Sequence, residues 1–244
     1  MRQFGLVGHP LDHSFSKDFF EKKFSNENLK NVGYVNLESP SLEDLFNSNK
    51  LANLDGFNVT IPYKESILPY LDGLSSEAKA IGAVNCVKNE KGKLIGYNTD
   101  HLGFYHSINP LLKSYHNKAL VLGNGGATKA IVYALKQANI EHQVVSRKSS
   151  FDYKDIDQNC LENHTILINC TPLGTYPKIE EFPQIPYQYL TKNHLLFDLV
   201  YNPKTSRFLE YGKQKQCLIK NGLEMLEIQA EKSWEIWNSK NYTY

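Results

Sequence analysis

The first part of the chain alternates short apolar runs with amphipathic ones. The apolar runs predict strands in QFGLVG (residues 3 to 8), VGYVNLE and LDGFNVTIPYK. Between them, DHSFSKDFFEKKFSNEN and SLEDLFNSN begin with polar cap residues and place apolar side chains at helical spacing. Because strands alternate with helices, we expect a mostly parallel sheet.

The second part of the chain begins with a hairpin and then repeats the strand and helix pattern. AKAIGAVNCVKNEKGKLIGYNTD has two β-rich runs around the turn-forming NEKG, so we expect a hairpin that closes the first half with an antiparallel edge. From Lys118, KALVLGNGGATKAIVYALKQANI predicts a strand, a turn and a helix, and strands follow in EHQVVSR, TILINCT and HLLFDLVY. The final GLEMLEIQAEKSWEIW predicts a helix with one apolar face. With a boundary near Asp100 to Gly103, the predicted fold class is α/β with two domains.

Charge and composition narrow the classes of partner. A net charge of +1 provides no global field for nucleic acid or an anionic membrane, so an anionic partner is expected to be small. The four cysteines have no zinc-like spacing, which predicts reduced thiols in a cytoplasm. No apolar stretch has the length of a membrane span or a signal peptide. His9 and His13 are four residues apart, but Pro10 argues against the helix that such a metal pair needs, so no metal site is expected.

A glycine-rich turn in VLGNGGATKA follows a predicted strand and opens a predicted helix. There, Gly123, Gly125 and Gly126 let the backbone and the helix N-terminus approach a pyrophosphate, although Thr128 stands where Gly or Ala is usual. A dinucleotide site usually carries an acid about 20 residues further on, which binds the ribose 2′-hydroxyl. Here VVSRKSS has no carboxylate, and Arg147 and the lysine after it favour a 2′-phosphate, so NADP(H) is favoured over NAD.

Polar side chains in the first half indicate where a small anionic substrate would bind. In GHPLDHSFS, Ser14 and Ser16 follow a strand and can donate to one carboxylate. Lys64 stands directly behind the apolar run FNVTIP, an unusual place for a cation. Asn85 lies within the apolar run AVNCV and needs a hydrogen-bond partner, which a substrate hydroxyl can supply.

The chain resembles the shikimate dehydrogenase family in eight stretches that occur in the family's order. They run from residue 8 to about residue 230 and are GHPLDHSFS, FNVTIPYKE, IGAVNCV, GYNTDHLGF, LGNGGATKA, INCTPLGTYP, FDLVYNPKTSRFL and NGLEMLEIQA. This ordered set covers nearly the whole chain and is far more specific than the glycine turn by itself.

The resemblance implies a fold and an activity. The activity is a reversible, NADPH-dependent reduction of 3-dehydroshikimate to shikimate by a cytoplasmic oxidoreductase, on the route to aromatic amino acids. The implied domains are a substrate-binding and catalytic α/β domain at residues 1–101 and a Rossmann-type NADP-binding domain at 102–222, with a C-terminal helix at 223–240 that packs back on the first domain.

The resemblance also implies roles for individual residues. Lys64 and Asp100 match the catalytic pair, and Ser14 and Ser16 match the pair that binds the substrate carboxylate. The substrate-binding positions further include Thr60, Asn85, Asp100, Tyr201 and Gln229. The cofactor-binding positions are Gly123, Asn124, Gly125, Gly126, Ala127, Ser146, Arg147, Lys148, Leu199 and Gly222.

Three positions depart from the family's pattern. Lys17 stands where a Pro often follows the second Ser, Ser146 stands where Asn commonly precedes the Arg, and His101 follows NTD where Gly is usual. None of them removes a proposed catalytic group. They bear on the geometry of the carboxylate loop and on the strength of the preference for NADP.

Three alternatives stay open at this point. One is a quinate/shikimate dehydrogenase that uses NAD, against which the basic SRK cluster argues. Another is a ligand-binding relative without turnover, against which Lys64 and Asp100 argue. A methylene-folate dehydrogenase ranks last because HSFS and NTD do not belong to it. The expected partner is shikimate or 3-dehydroshikimate, with neither nucleic acid nor membrane, and the protein is expected to be a monomer or a homodimer.

Overall fold

The backbone divides into two compact units. A computed structural model describes residues 1–11, 14–147 and 150–239 of the 244-residue chain. The first unit comprises Met1–Asp100 and the chain from Gln229 onward, and the second comprises His101–Ile228.

The first unit is built around a six-stranded sheet. Serine side chains cap two of its helices by accepting backbone N–H bonds, Ser41 from Asp44 and Ser75 from Ala78. Its strands and helices are β1 (Arg2–Gly8), α1 (Phe15–Asn26), β2 (Val32–Glu38), α2 (Leu42–Asn47), β3 (Gly56–Val59), β4 (Gly73–Leu74), α3 (Ser76–Ile81), β5 (Cys86–Glu90) and β6 (Lys93–Tyr97).

The strand order of the first sheet is β2-β1-β3-β5-β6-β4. The strands β2, β1 and β3 are parallel, and β5 and β6 form the expected antiparallel hairpin. Lys91 and Gly92 turn this hairpin with φ of +56° and +89°, as a tight two-residue turn requires. The expectation that the hairpin forms the sheet edge is wrong, because β4 pairs parallel with β6 and covers it. A strand of two residues is too short to show a period in the sequence.

An aromatic cluster joins the sheet of the first unit to the last helix. Trp237 stacks on Phe4 with ring centroids 4.6 Å apart, and its indole N–H donates to the carbonyl of Val87. Gly56 makes this close packing possible, since a Cβ there would lie 2.4 Å from the Trp237 ring.

The second unit contains a five-stranded, wholly parallel sheet of order β11-β10-β9-β7-β8. The chain order places the topological switch between β7 and β9, and in such sheets ligands bind at that point. The strands and helices from Asp100 onward are α4 (Asp100–Ile108), β7 (Lys118–Leu122), α5 (Gly126–Gln137), β8 (Glu141–Val145), α6 (Gln158–Asn163), β9 (Ile166–Asn169), β10 (Leu195–Asp198), α7 (Arg207–Gln214), β11 (Leu218–Lys220) and α8 (Leu223–Asn238). The predicted two-domain α/β fold class, with a Rossmann-type second domain, is confirmed.

Successive residues of β7 face two different cores. Ala119 and Val121 belong to one buried cluster, and Leu120 and Leu122 belong to the other. Because both faces of the sheet are covered, the sequence of such a strand is a continuous apolar run without alternation. Among the described helices, none combines the length and the apolar character that crossing a bilayer requires.

Candidate active site

A buried ion pair lies in the first unit. The Nζ of Lys64 is 2.6 Å from the Oδ2 of Asp100, and their side chains are 15% and 6% exposed. The two residues are 36 positions apart in sequence. A buried ammonium is costly unless it is paired, so this carboxylate accounts for the cation behind the apolar run.

Local structure holds both partners of this pair. Lys64 follows β3 in a turn, and its carbonyl accepts the backbone N–H of Val84 at 2.7 Å. Asp100 begins α4, where the helix dipole favours a negative charge. The pair thus joins a turn after the sheet to the first residue of a helix.

The side-chain amide of Asn85 holds Asp100 from the other side. Its Nδ2 lies 2.9 Å from the Oδ1 of Asp100, 2.9 Å from the Thr99 hydroxyl and 3.1 Å from the Oε1 of Gln229. The Oδ1 of Asn85 accepts the backbone N–H of Thr99 at 2.6 Å, so the orientation of the amide is determined. The structure therefore brings together four residues that the sequence singled out: Lys64, Asn85, Asp100 and Gln229.

A second row of buried polar residues lies behind this site and was not predicted. Asn58 on β3 donates to the Ser233 hydroxyl at 2.9 Å and accepts from the Tyr34 hydroxyl at 2.9 Å. Ser233 in turn donates to the carbonyl of Gln229 at 2.9 Å. Asn58 could have been found, because it is a polar residue inside the apolar run FNV, the same signal that identified Asn85. Tyr34 and Ser233 carry no such signal.

The expected carboxylate loop lies at the start of α1. Ser14 is the N-cap residue, but its side chain accepts no N–H bond, and its buried hydroxyl has no hydrogen-bond partner among the described residues. Ser16 is half-buried in the first turn of α1. Thr60 directly follows β3 and is half-buried, and its methyl group packs closely on Gly8, where a Cβ would lie 2.4 Å away.

The glycine-rich turn of the second unit fits a dinucleotide. Gly123 has a φ of +108°, which favours glycine, and a Cβ there would lie 3.0 Å from Thr171. A Cβ at Gly125 would meet nothing within 4 Å, so the space before the N-terminus of α5 is open. The Thr128 hydroxyl lies 3.2 Å from both the N–H of Gly125 and the carbonyl of Gly123. The threonine that departs from the fingerprint therefore holds the turn in shape and leaves room for a diphosphate.

The remaining cofactor positions lie at the ends of the strands in the same unit. Asn124 is exposed, and Gly126 and Ala127 are half-buried in the first turn of α5. After β8, Ser146 is buried and Arg147 is exposed. Lys148 lies outside the described residues.

Gly222 permits a close backbone approach near the end of β10. A Cβ at Gly222 would lie 2.2 Å from the carbonyl oxygen of Leu199, so no other residue fits without a shift. Tyr201 is half-buried and follows two residues after Leu199. It belongs to the second unit, whereas the Lys64 pair belongs to the first.

A second buried carboxylate lies beside these positions. Asp198 accepts hydrogen bonds from the Ser206 hydroxyl, from the Asn169 amide at 2.9 Å and from the Val200 N–H at 3.0 Å. Burial raises the pKa of Asp198 to about 6, although these hydrogen bonds lower it in part. It was not predicted as a functional residue.

A family model matches much of the first unit. The model described as "Shikimate dehydrogenase substrate binding domain" matches residues 6–87. This range includes Ser14, Ser16, Lys64 and Asn85.

Similarity to known proteins extends over nearly the whole chain. A "Shikimate dehydrogenase (NADP(+))" from Clostridium beijerinckii is 41% identical, with 97% of this chain and 92% of the relative covered. Another of that name from Methanococcus aeolicus is 38% identical, with 96% and 90% covered. A crystal structure of shikimate 5-dehydrogenase from Thermus thermophilus in complex with NADP(H) and shikimate has a TM-score of 0.87 at 31% identity, with 98% of this chain and 94% of that one covered.

Proposed function

The chain belongs to the shikimate dehydrogenase family, and we propose that Lys64 and Asp100 are the catalytic pair of its NADPH-dependent reduction of 3-dehydroshikimate to shikimate. It is an NADP-dependent oxidoreductase of the shikimate pathway, which leads to aromatic amino acids. The observation that carries the assignment of the pair is the 2.6 Å contact between the Lys64 ammonium and a carboxylate that is itself held by Asn85. Both residues are brought together from distant parts of the sequence.

The chemistry that NADPH supplies when bound is a hydride for the ketone carbon of the substrate. The protein must stabilise the negative charge that develops on the oxygen of that ketone and supply a proton to it. Lys64 stabilises this charge and donates the proton from its Nζ, and such acid catalysis is typically worth ~10² to 10⁴ in rate. Asp100 accepts a hydrogen bond from the Lys64 ammonium and aims it, while Asn85 fixes the carboxylate.

Substrate binding is assigned to two groups of residues in this proposal. Ser14, Ser16 and Tyr201 bind the carboxylate with neutral hydroxyl donors, and the buried, unpartnered hydroxyl of Ser14 supports this role because an anion would give it a partner. Thr60, Asn85, Asp100 and Gln229 bind the ring hydroxyls. The hydrogen bonds among the last three support the assignment, since all three present polar atoms to one place.

Cofactor binding is assigned to the glycine turn and to the ends of the neighbouring strands. The turn from Gly123 to Ala127 binds the diphosphate, and Leu199 and Gly222 border the remainder of the cofactor. Ser146, Arg147 and Lys148 bind the 2′-phosphate, a role supported by the absence of an acid from the VVSRKSS stretch that begins at the end of β8. A guanidinium can bind such a phosphate bidentately.

The cellular setting is part of the same proposal. We place the protein in the cytoplasm, which is supported by four cysteines that are all free. The first domain, residues 1–101, binds substrate, and the second, 102–222, binds NADP, with the helix at 223–240 packing back on the first. The protein is a monomer or a homodimer, and sedimentation at several concentrations would distinguish the two.

A panel of two substrates and two cofactors tests this function. Oxidation of shikimate with NADP⁺ should have the highest kcat/KM, and quinate with NAD⁺ the lowest. The relatives do not favour an NAD-dependent quinate enzyme, since they are named for shikimate and NADP⁺. Absence of turnover with every pair, despite binding of shikimate, would instead identify a ligand-binding protein.

A further inference from the structure

Ser233 attaches the helix α8 to the sheet of the first unit. It is fully buried and lies four residues, or about one helical turn, after Gln229. Its hydroxyl lies 2.9 Å from the Nδ2 of Asn58 on β3 and 2.9 Å from the backbone carbonyl of Gln229. A third contact, at 3.3 Å, joins it to the hydroxyl of Thr99. The turn of α8 that carries Gln229 is therefore bound to the sheet at this serine.

The direction of the hydrogen bonds around Ser233 is determined. The carbonyl of Gln229 can only accept, so the single proton of the Ser233 hydroxyl points at it. The Ser233 oxygen then accepts from Asn58. The donor is the amide nitrogen of Asn58, because the same atom lies 3.1 Å from the carbonyl of Asn85 while its Oδ1 accepts from the Tyr34 hydroxyl. Both N–H bonds of the Asn58 amide are thus committed, one to Asn85 and one to Ser233.

The side-chain amide of Asn85 has more acceptors than protons. Its Nδ2 carries two protons but has three oxygens within 3.1 Å. The Oδ1 of Asp100 and the hydroxyl of Thr99 are each 2.9 Å away, and the Oε1 of Gln229 is 3.1 Å away. The carboxylate is the strongest of the three acceptors, and the Gln229 oxygen is the most distant. The contact between Asn85 and Gln229 therefore depends closely on the position of α8.

We propose that Ser233 is a positioning residue that holds Gln229 within reach of Asn85 and so sets the affinity for substrate. This inference rests on the proposed function, in which Asn85 and Gln229 bind the ring hydroxyls. Ser233 is fully buried, so it acts through Gln229 rather than by contact with the substrate. Without its hydroxyl, one N–H of Asn58 would lose its acceptor inside the protein, which is costly, and this turn of α8 would shift.

The substitution Ser233→Ala tests this inference because it removes the hydroxyl and little else. Alanine is a better helix former than serine, so we expect α8 to persist. Calorimetric titration of the full-length protein with shikimate should give a Kd raised by about 2- to 10-fold, the range expected for one neutral hydrogen bond. The KM for shikimate should rise likewise, while kcat and the affinity for NADP⁺ change little. A role in folding alone would lower the melting temperature and leave the Kd of the folded protein unchanged.

The substitution Gln229→Ala shows whether the effect passes through Gln229. By itself it should raise the Kd for shikimate, because a ring hydroxyl loses its partner. In the Gln229→Ala background, Ser233→Ala should cause no further rise, since the side chain that Ser233 positions is absent. If Ser233→Ala raised the Kd by the same factor in both backgrounds, it would act by another route and the inference would be refuted.

The substitution Ser107→Ala is the matched control. Ser107 of α4 is 1% exposed and, like Ser233, donates to a carbonyl of its own helix, that of Phe104 at 3.0 Å. It belongs to the second unit. Its removal should leave the Kd for shikimate as in the wild type. A rise equal to that of Ser233→Ala would show that loss of any buried helical hydroxyl weakens binding, and it would overturn the specific role of Ser233.

The outcomes separate this inference from the function on which it rests. If Gln229→Ala raises the Kd for shikimate but Ser233→Ala does not, the positioning role is refuted and the assignment of Gln229 to the ring hydroxyls stands. If Gln229→Ala leaves the Kd unchanged, the assignment of Gln229 to the substrate is refuted, and the role of Ser233 with it.

Discussion

Two aspartates, one in each unit, are deeply buried but have opposite kinds of partner. Asp100 has the Lys64 ammonium at 2.6 Å and the Asn85 amide at 2.9 Å. Asp198 has only neutral donors, from Ser206, Asn169 and the Val200 backbone. Within the described residues no cation pairs with Asp198, and burial raises its pKa to about 6.

The difference shows how the surroundings decide what a buried carboxylate can do. The Lys64 ammonium beside Asp100 is a proton donor, and the reduction of a ketone needs such a donor at the ketone oxygen. The donors around Asp198 come from the end of β9, from the backbone after β10 and from the N-cap of α7, where Ser206 also accepts the Leu209 N–H. We therefore expect substitutions at the first site to change rates and substitutions at the second to change stability.

The largest expected effect is on catalysis at the first site. Lys64→Ala removes the proton donor and should lower kcat by ~10² to 10⁴, with much smaller changes in the KM for shikimate. Steady-state kinetics in both directions would measure it. Lys88→Ala is the matched control, since Lys88 is also a buried, ion-paired lysine of this unit, but it pairs with Glu90 at 2.9 Å and donates to the Ser239 carbonyl at 2.8 Å. A kcat near that of the wild type for Lys64→Ala would remove Lys64 from the mechanism.

The next effect concerns the stability provided by Asp198. Because its pKa in the folded protein is raised from 3.8 to about 6, the folded state keeps a proton that the unfolded state releases in this range. The contribution of Asp198 to the free energy of unfolding is fully present below about pH 4 and is lost as the pH rises through about 6. The total loss is roughly 3 kcal/mol.

Unfolding of wild type and Asp198→Asn at a series of pH values would measure this contribution. The free energy of unfolding of the wild type, relative to the variant, should fall as pH rises through that window, while kcat changes little. A relative stability that is flat or rises with pH would show that Asp198 does not hold its proton as described.

A smaller effect is expected for the basic residue after β8. Arg147→Ala should raise the KM for NADPH by about 10-fold or more, because a charge-assisted, bidentate contact to the 2′-phosphate is lost. The KM for NADH, which lacks this phosphate, serves as the internal control and should change little. Equal increases for both cofactors would contradict the assignment of Arg147 to the 2′-phosphate.

Local patterns in the sequence predicted most of the strands and the helices α1, α2, α5 and α8, whereas α3, α4, α6 and α7 were not predicted. The bounds of β2 are those of the predicted strand VGYVNLE, and the strand, turn and helix from Lys118 occur as expected. The short β4 and β11 were not predicted, because strands of two and three residues show no alternation. Their place in the sheet is determined by the neighbouring strands.

The site was predictable only where a polar residue contradicts its local pattern or matches a motif. Asn85 and Lys64 stand out because each lies within or beside an apolar run. Tyr34 and Ser233 do not, since tyrosine is common in strands and serine is ordinary in an amphipathic helix. Their roles depend on contacts between β2, β3 and α8, which are distant in sequence, and those contacts appear only in the folded chain.

The central claim is that Lys64 and Asp100 act as one catalytic unit, and kcat of the double variant tests it most directly. Lys64→Ala, Asp100→Ala and the combined variant would be compared with the wild type at saturating shikimate and NADP⁺. If the two residues act together, the double variant should be about as slow as the slower single variant, because either substitution alone removes the unit. If the two losses multiply instead, the residues act independently and the account of the site is wrong.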